Sequence, residues 1–168
     1  SLLIISYKGK SPNIQKAVFV APNATLPGEV KLMNGVSVWF GAVLKGDSKG
    51  IYVDKNSAIL ENCFVEGSNI GKETLISHGS ILHSCSVGNN VLIGIGAIIL
   101  DNAEIGDNSI VAAGSVVSPK TKIDEGTVVA GVPAKVIREV KEEDIINLKN
   151  SLKTIREKAR VYSKMLKT

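Results

Sequence analysis

Every sixth residue from Val87 is aliphatic: Val87, Ile93, Ile99, Ile105, Val111, Val117 and Ile123. An α-helix returns to the same face every 3.6 residues and a strand every two, so neither alone buries each sixth residue. The period demands a larger unit. A left-handed parallel β-helix supplies one: each six-residue unit forms one flat side of a triangular coil, three sides make a rung of roughly 18 residues, and the aliphatic residue points into the prism. Small or turn-forming residues must then follow at each corner. They do so in Val87-Gly88-Asn89-Asn90, Ile93-Gly94, Ile105-Gly106-Asp107-Asn108 and Val111-Ala112-Ala113-Gly114.

The period extends upstream in a second phase through Val20, Leu26, Leu32, Val38 and Leu44, which starts the coil near residue 14. An extra stretch from Gly46 to Tyr52 interrupts the count. Val53, Ile59 and Val65 resume it, and Ile70, Ile76 and Leu82 follow after one residue is lost. Breaks in a solenoid are read as loops on one face, where such proteins carry function. From Gly126 the repeat ends in GTVVAGVPAKVIREV, and Pro133 carries the chain off the last rung. Between Glu142 and Leu166, the residues Ile145, Leu148, Leu152, Ile155, Ala159, Tyr162 and Leu166 recur at steps of three and four. They predict one helix packed along the coil, with acidic residues at its start and Lys164 and Lys167 at its end. The chain thus reads as a single domain, with residues 1–140 forming the β-helix and its N-terminal cap segment and residues 141–168 forming the C-terminal helix.

Composition agrees with a thin aliphatic prism: 44% of the 168 residues are hydrophobic and only 4% aromatic. The net charge of +4 comes largely from Lys149, Lys153, Arg156, Lys158, Arg160, Lys164 and Lys167, which read as a solvated helix face. No recognition motif, aromatic platform or basic stripe accompanies them along the coil, so nucleic acid is not an expected partner. Leu2 to Ile5 is too short to cross a bilayer and lacks the flanks of a signal peptide, so no membrane association is expected and the cytoplasm is the expected compartment. Cys63 and Cys85 occupy different places in their hexapeptides, which argues for small buried or interface thiols instead of a disulfide.

Chemistry concentrates in one window. The chain has two histidines, His78 and His83, five residues apart in ISHGSILHSC. That spacing is nearly one side of the triangle, so the two imidazoles leave the coil in different directions and cannot share a metal within one chain. Across a threefold interface, His78 of one subunit can meet His83 of the next. Residues one rung apart stack roughly 4.8 Å from one another, and Glu66 lies one shortened rung before His83. The expected cluster is Glu66 and His83 with His78 of a neighbouring subunit. Two histidines and a carboxylate with open positions suit Zn²⁺, Fe²⁺ or Co²⁺, and a water on such a metal can ionise near neutral pH.

YKGKSPNI, VFVAPNATLPGEV, SVWFGAVLKGD, ISHGSILHSCSVGNNVLIGIGAIILD and GVPAKVIREV resemble, in order and over nearly the whole chain, segments of the γ-class carbonic anhydrases and their relatives. ISHGSILHSC is the most specific, because it resembles the family segment that holds two of three metal histidines. The resemblance implies a homotrimer with His78 and His83 as metal ligands from neighbouring subunits, and reversible hydration of CO₂ to bicarbonate by a metal-bound hydroxide. It implies site roles for Asp47, Lys45 and Glu61. The chain also departs from the family. Glu66 stands where the family has its first metal histidine, adding negative charge that weakens Lewis acidity. Leu60 replaces a glutamine and offers no hydrogen bond. Lys45 replaces an arginine and loses its bidentate fork, Asp47 is retained, and Glu61 replaces an aspartate. The segment after Glu66 is shorter than the family's, and the family's glutamate-bearing proton-shuttle loop has no counterpart.

Three functions are compatible with these residues. The first is a γ-carbonic-anhydrase-type metalloenzyme acting on CO₂ or bicarbonate. The second is an acyltransferase with acyl-CoA between neighbouring coils, since hexapeptide coils and a GVPAK ending also occur there and a histidine can act as general base. The third is a non-catalytic trimeric scaffold or binder. Lys45 and Asp47 also read as an ion pair between subunits, and Tyr162, in the apolar stripe, as a packing residue.

Overall fold

A computed structural model describes residues 3–166. Leu2, at the short apolar start, and Lys167, at the end of the basic helix face, lie outside the described residues. The chain forms a parallel β-solenoid followed by one helix, α1 (Glu142–Leu166). Three columns of aliphatic side chains fill the prism. Val20, Val38, Ile59, Ile76, Ile93, Val111 and Val129 stack in parallel register on the first face. Leu44, Val65, Leu82, Ile99 and Val117 do so on the second, and Leu32, Val53, Ile70, Val87, Ile105 and Ile123 on the third. The first column counts seven rungs. Nearly all these side chains are buried, Val20 at the open end being only partly so. Full burial of one such residue contributes roughly 1.5–3 kcal/mol, so the repeated column is the main source of cohesion.

Three sequence expectations need correction at the ends and at the break. The chain joins the coil before residue 14, because Ile4 and Ile5 already pair in parallel with Leu26 and Pro27. The stretch from Gly46 to Tyr52 is no loop: it lies within one long strand, Val43–Val53, that turns a corner and links two faces. The register shift against Gly28 and Val30 absorbs the extra residues. The turn is possible because Gly28 and Gly46 pack backbone on backbone, where a Cβ on Gly28 would overlap the Gly46 carbonyl. At the other end the chain does not leave at Pro133. It folds back as the strand Lys135–Glu139, antiparallel to Thr127–Ala130, before reaching the helix.

Helix α1 covers the first face and runs back toward the first rungs. Leu148, Leu152 and Ala159 are buried, while Ile145, Ile155 and Tyr162 are half-buried. Tyr162 packs as expected: its ring lies 5.9 Å from Phe19, 5.7 Å from Trp39 and 5.3 Å from Phe40. Leu166 departs from the stripe and is 42% exposed, because the helix end has reached the rim of the coil. The basic face is not wholly solvated either, since Arg156 Nη1 lies 3.5 Å from Glu73 Oε2. At the helix start, Asp144 accepts a fork from Arg138 at 2.7 and 3.1 Å and the Lys141 N–H at 2.8 Å. The Arg138 fork holds its carboxyl down at about 2.

Candidate functional site

The rungs are not uniform. Ile93 pairs with Val111, eighteen residues on, but Ile76 pairs with Ile93 after seventeen. The missing residue falls at the corner after the second face: Val65 to Ile70 and Leu82 to Val87 are five steps, whereas Ile99 to Ile105 is six. In the short corners the left-handed residue, Gly67 (φ 52°) or Ser84 (φ 50°), follows Glu66 or His83 directly. Both side chains therefore leave the coil at the same edge, one above the other. Lys45, Glu66 and His83 stand in register on three successive rungs.

Their side chains form one row. Lys45 Nζ lies 3.3 Å from Asp47 Oδ2 and 3.3 Å from Glu66 Oε1. Glu66 Oε2 lies 2.5 Å from His83 Nε2, and His83 Nδ1 is in short contact with Asp101 Oδ1. The hydrogen bond with Asp47, and next that with Glu66, holds the Lys45 ammonium above the ordinary lysine range. Asp47 and Lys45 thus pair within the chain, because the strand Val43–Val53 carries both past the corner. Asp47 Oδ1 is buried and has no hydrogen-bond partner among the described residues.

A carboxylate only accepts, so the His83 Nδ1–H donates to Asp101. Glu66 Oε2 faces the other ring nitrogen, Nε2, at 2.5 Å, so a carboxylate and an imidazole, both of metal-ligating type, stand side by side on successive rungs. Formal charge points the same way: the three carboxylates of Asp47, Glu66 and Asp101 outnumber the single ammonium of Lys45 by two. The donor set therefore fits a divalent metal, with Asp101 in the supporting position that orients a ligating imidazole. Sequence reading missed Asp101. The signal was available: it lies one full rung after His83, and the step that found Glu66 backward from His83 finds Asp101 forward.

His78 and Glu61 form a second, separate pair, His78 Nε2 lying 3.5 Å from Glu61 Oε1 at the corner before the second face. Glu61 is thus apart from Asp47, Lys45, Glu66 and His83, and the two histidines diverge as their spacing required. Among the described residues no three His, Cys, Asp or Glu side chains converge to hold a metal within one chain. Between the two half-sites the second face presents an outward column of Val43, Phe64, Ile81, Ile98 and Val116 in register. Helix α1 does not cover it, and Ile81 is 38% exposed. The free thiols of Cys63 and Cys85 are buried, and burial pushes both up to about 11, which makes them inert packing groups. Among the described residues no helix is long and apolar enough to cross a membrane.

A seven-rung parallel coil with hydrophobic columns and chemistry at its corners defines a hexapeptide-repeat protein. Residues 84–119 match the family model for the bacterial transferase hexapeptide (six repeats). The carbonic anhydrase of Geobacillus kaustophilus is 41% identical over 165 residues, covering 95% of this chain and 91% of its own length. Gamma carbonic anhydrase 2, mitochondrial, of Arabidopsis thaliana is 34% identical over 92% of this chain, and the chain spans 59% of that relative's length. A crystal structure of a hexapeptide transferase family protein from Anaplasma phagocytophilum superposes with a TM-score of 0.90 at 36% identity, over 95% of this chain and 98% of that one. The chain belongs to the γ-class carbonic anhydrase-like family.

Proposed function

We propose that the protein is a homotrimeric metalloenzyme of the γ-carbonic anhydrase type that interconverts CO₂ and bicarbonate. The observation that carries this reading is the row of Glu66 and His83, stacked side by side on successive rungs with Asp101 on the far ring nitrogen. Glu66 and His83 would hold the metal together with His78 of the neighbouring subunit. The trimer is supported by the uncovered apolar column from Val43 to Val116, which has one half-site at each edge. Burying that column against symmetry mates brings His78 of one chain toward His83 of the next.

Zn²⁺, or Fe²⁺ or Co²⁺ in its place, supplies Lewis acidity that makes a water nucleophilic near neutral pH. The protein's own groups do the rest. Asp101 fixes the orientation of His83, and Glu61 does the same for His78. Lys45 ties Glu66 to Asp47 and offsets one carboxylate charge. The buried Asp47 Oδ1 is free to accept a hydrogen bond from water or bicarbonate, which orients it. Leu60, 7% exposed, contributes an apolar wall and no hydrogen bond. Two buried thiols suit a reducing compartment, here the cytoplasm.

The test is metal content per subunit in protein purified without chelator, compared with His78→Ala and His83→Ala. About one metal per chain is expected in the parent and almost none in either variant, with the trimer retained in light scattering. Full metal content in His83→Ala would overturn the site. Failure of the parent to take up metal on reconstitution would favour the second reading, acyl transfer. That reading is supported by the match of residues 84–119 to a transferase repeat, and acetyl-CoA binding tests it directly.

A further inference from the structure

A cavity opens beside the His78–Glu61 pair, between α1 and the corner before the second face. It measures about 550 Å³ and opens to the surface. Trp39, Leu60, Leu75, Ile95 and Ile155 form its apolar wall, and Asn150, Ser151, Thr154 and Lys158 line the helix side. From Asn150 to Lys158 the helix rises about 12 Å at 1.5 Å per residue, so the cavity is a groove along the coil axis and not a round pocket. The helix runs back toward the first rungs, since Tyr162 meets Phe19 and Trp39 there while Arg156 meets Glu73 two rungs further on. Lys158 therefore lies at the Trp39 end of the groove.

The wall chemistry selects a ligand. The Trp39 indole N–H is already committed to Ser37 Oγ at 3.0 Å, so the ring offers the groove only apolar surface. Glu61 is engaged by His78 at 3.5 Å. Among the described residues Lys158 has no carboxylate within ion-pair distance, so its ammonium is the one unpaired cation of a groove whose coil side is mostly apolar and whose only carboxylate, Glu61, faces His78. A single ammonium flanked by neutral hydroxyls and an amide suits a monoanion. A phosphate would call for an arginine fork or a helix N-terminus, and neither lines the groove.

We propose that this groove binds a linear aliphatic carboxylate, its chain along Trp39, Leu60, Leu75 and Ile155 and its carboxylate on Lys158. The site stands on the groove alone and does not depend on a metal at His78 and His83. Trp39 is the single tryptophan of the chain, so its fluorescence reports occupancy directly.

The experiment titrates the full-length protein with octanoate, octanol and acetate, following Trp39 emission, with metal content measured on the same samples. Octanoate is expected to give a saturable change at concentrations about 100-fold below any response to acetate. Lys158→Met is expected to weaken octanoate about tenfold and leave octanol unchanged, and Ile155→Gln to weaken both. No saturable signal with octanoate overturns the proposal. So does octanoate binding that neither variant alters, because the ligand then sits elsewhere, for example in the apolar groove of about 500 Å³ around Ile14, Phe19 and Leu166. Octanoate binding that survives chelation supports the groove even where the metal assignment fails. Metal retained without octanoate binding removes the groove and leaves the metal assignment intact.

Discussion

The rungs beyond Val87 and those between Val65 and Val87 bury the same kind of column, yet they differ by one residue at a single corner. In the regular part, Ile99 leads to Ile105 through the six-residue unit, and the corner carries Leu100, Asp101 and Asn102. In the central part the corner is one residue short, and Glu66 and His83 stand immediately before the left-handed turn. The prism hardly registers the loss: Val65, Ile70, Leu82 and Ile99 are all 0–1% exposed. A solenoid can therefore shorten its corners without touching its core, and the shortening aligns charged side chains along one edge. Stability is distributed over all rungs, whereas the candidate site gathers at the irregular ones, with Asp101 of the first regular corner behind it.

The largest effect tests the sameness of the two regions. Leu82→Ala in a central rung and Ile99→Ala in a regular one should each cost roughly 2–5 kcal/mol, read from urea unfolding. A much smaller loss at Leu82 would mean that the central rungs are looser than their burial indicates. The next variant restores the difference in reverse. One glycine inserted between His83 and Ser84 lengthens the corner to the regular count. The coil should unfold cooperatively as before, while metal affinity in a competition titration should fall on the order of 100-fold. Unchanged affinity would show that the short corner is irrelevant to the site.

A smaller change is expected where the regular rung supports the central one. Asp101→Asn keeps the shape and removes the acceptor charge behind His83, and should weaken metal binding about 10–100-fold. Partial recovery in Asp101→Glu, with thermal stability unchanged across the series, would separate a positioning role from a merely structural one. The smallest effect lies outside both regions, at the helix start. Arg138 lowers the Asp144 carboxyl from 3.8 to about 2, so the pair stabilises the folded chain above the ordinary carboxylate range. That contribution is lost as pH falls through about 2. Asp144→Asn should therefore unfold slightly more easily than the parent at neutral pH, and the two curves should merge in strong acid. A gap that persisted there would assign the difference to packing.

Much of the fold was legible because its cause is local. An aliphatic residue every six positions, with glycine or asparagine at the corners, leaves few other ways to bury that column, and α1 followed from its stripe at steps of three and four. The stacking of Glu66 on His83 was legible as well, since stacking is a matter of counting residues. The count stopped short in two places. Asp101 lies one rung beyond the window that attracted attention, and the stretch from Gly46 to Tyr52 looked like a loop because a break in period carries no sign of strand continuity. Pairing Lys45 with Asp47 inside one chain depended on that continuity.

By itself, then, the sequence determined the coil, its columns, the helix that covers one face and the divergence of the two histidines, because periodicity and step counts are properties of neighbouring residues. Tertiary structure alone decided that Lys45 meets Asp47 and Glu66, that Asp47 Oδ1 is buried with no hydrogen-bond partner among the described residues, and that a groove remains between α1 and the coil. These depend on how far each corner turns and how closely one element lies on another, and small backbone shifts that no residue count records settle both.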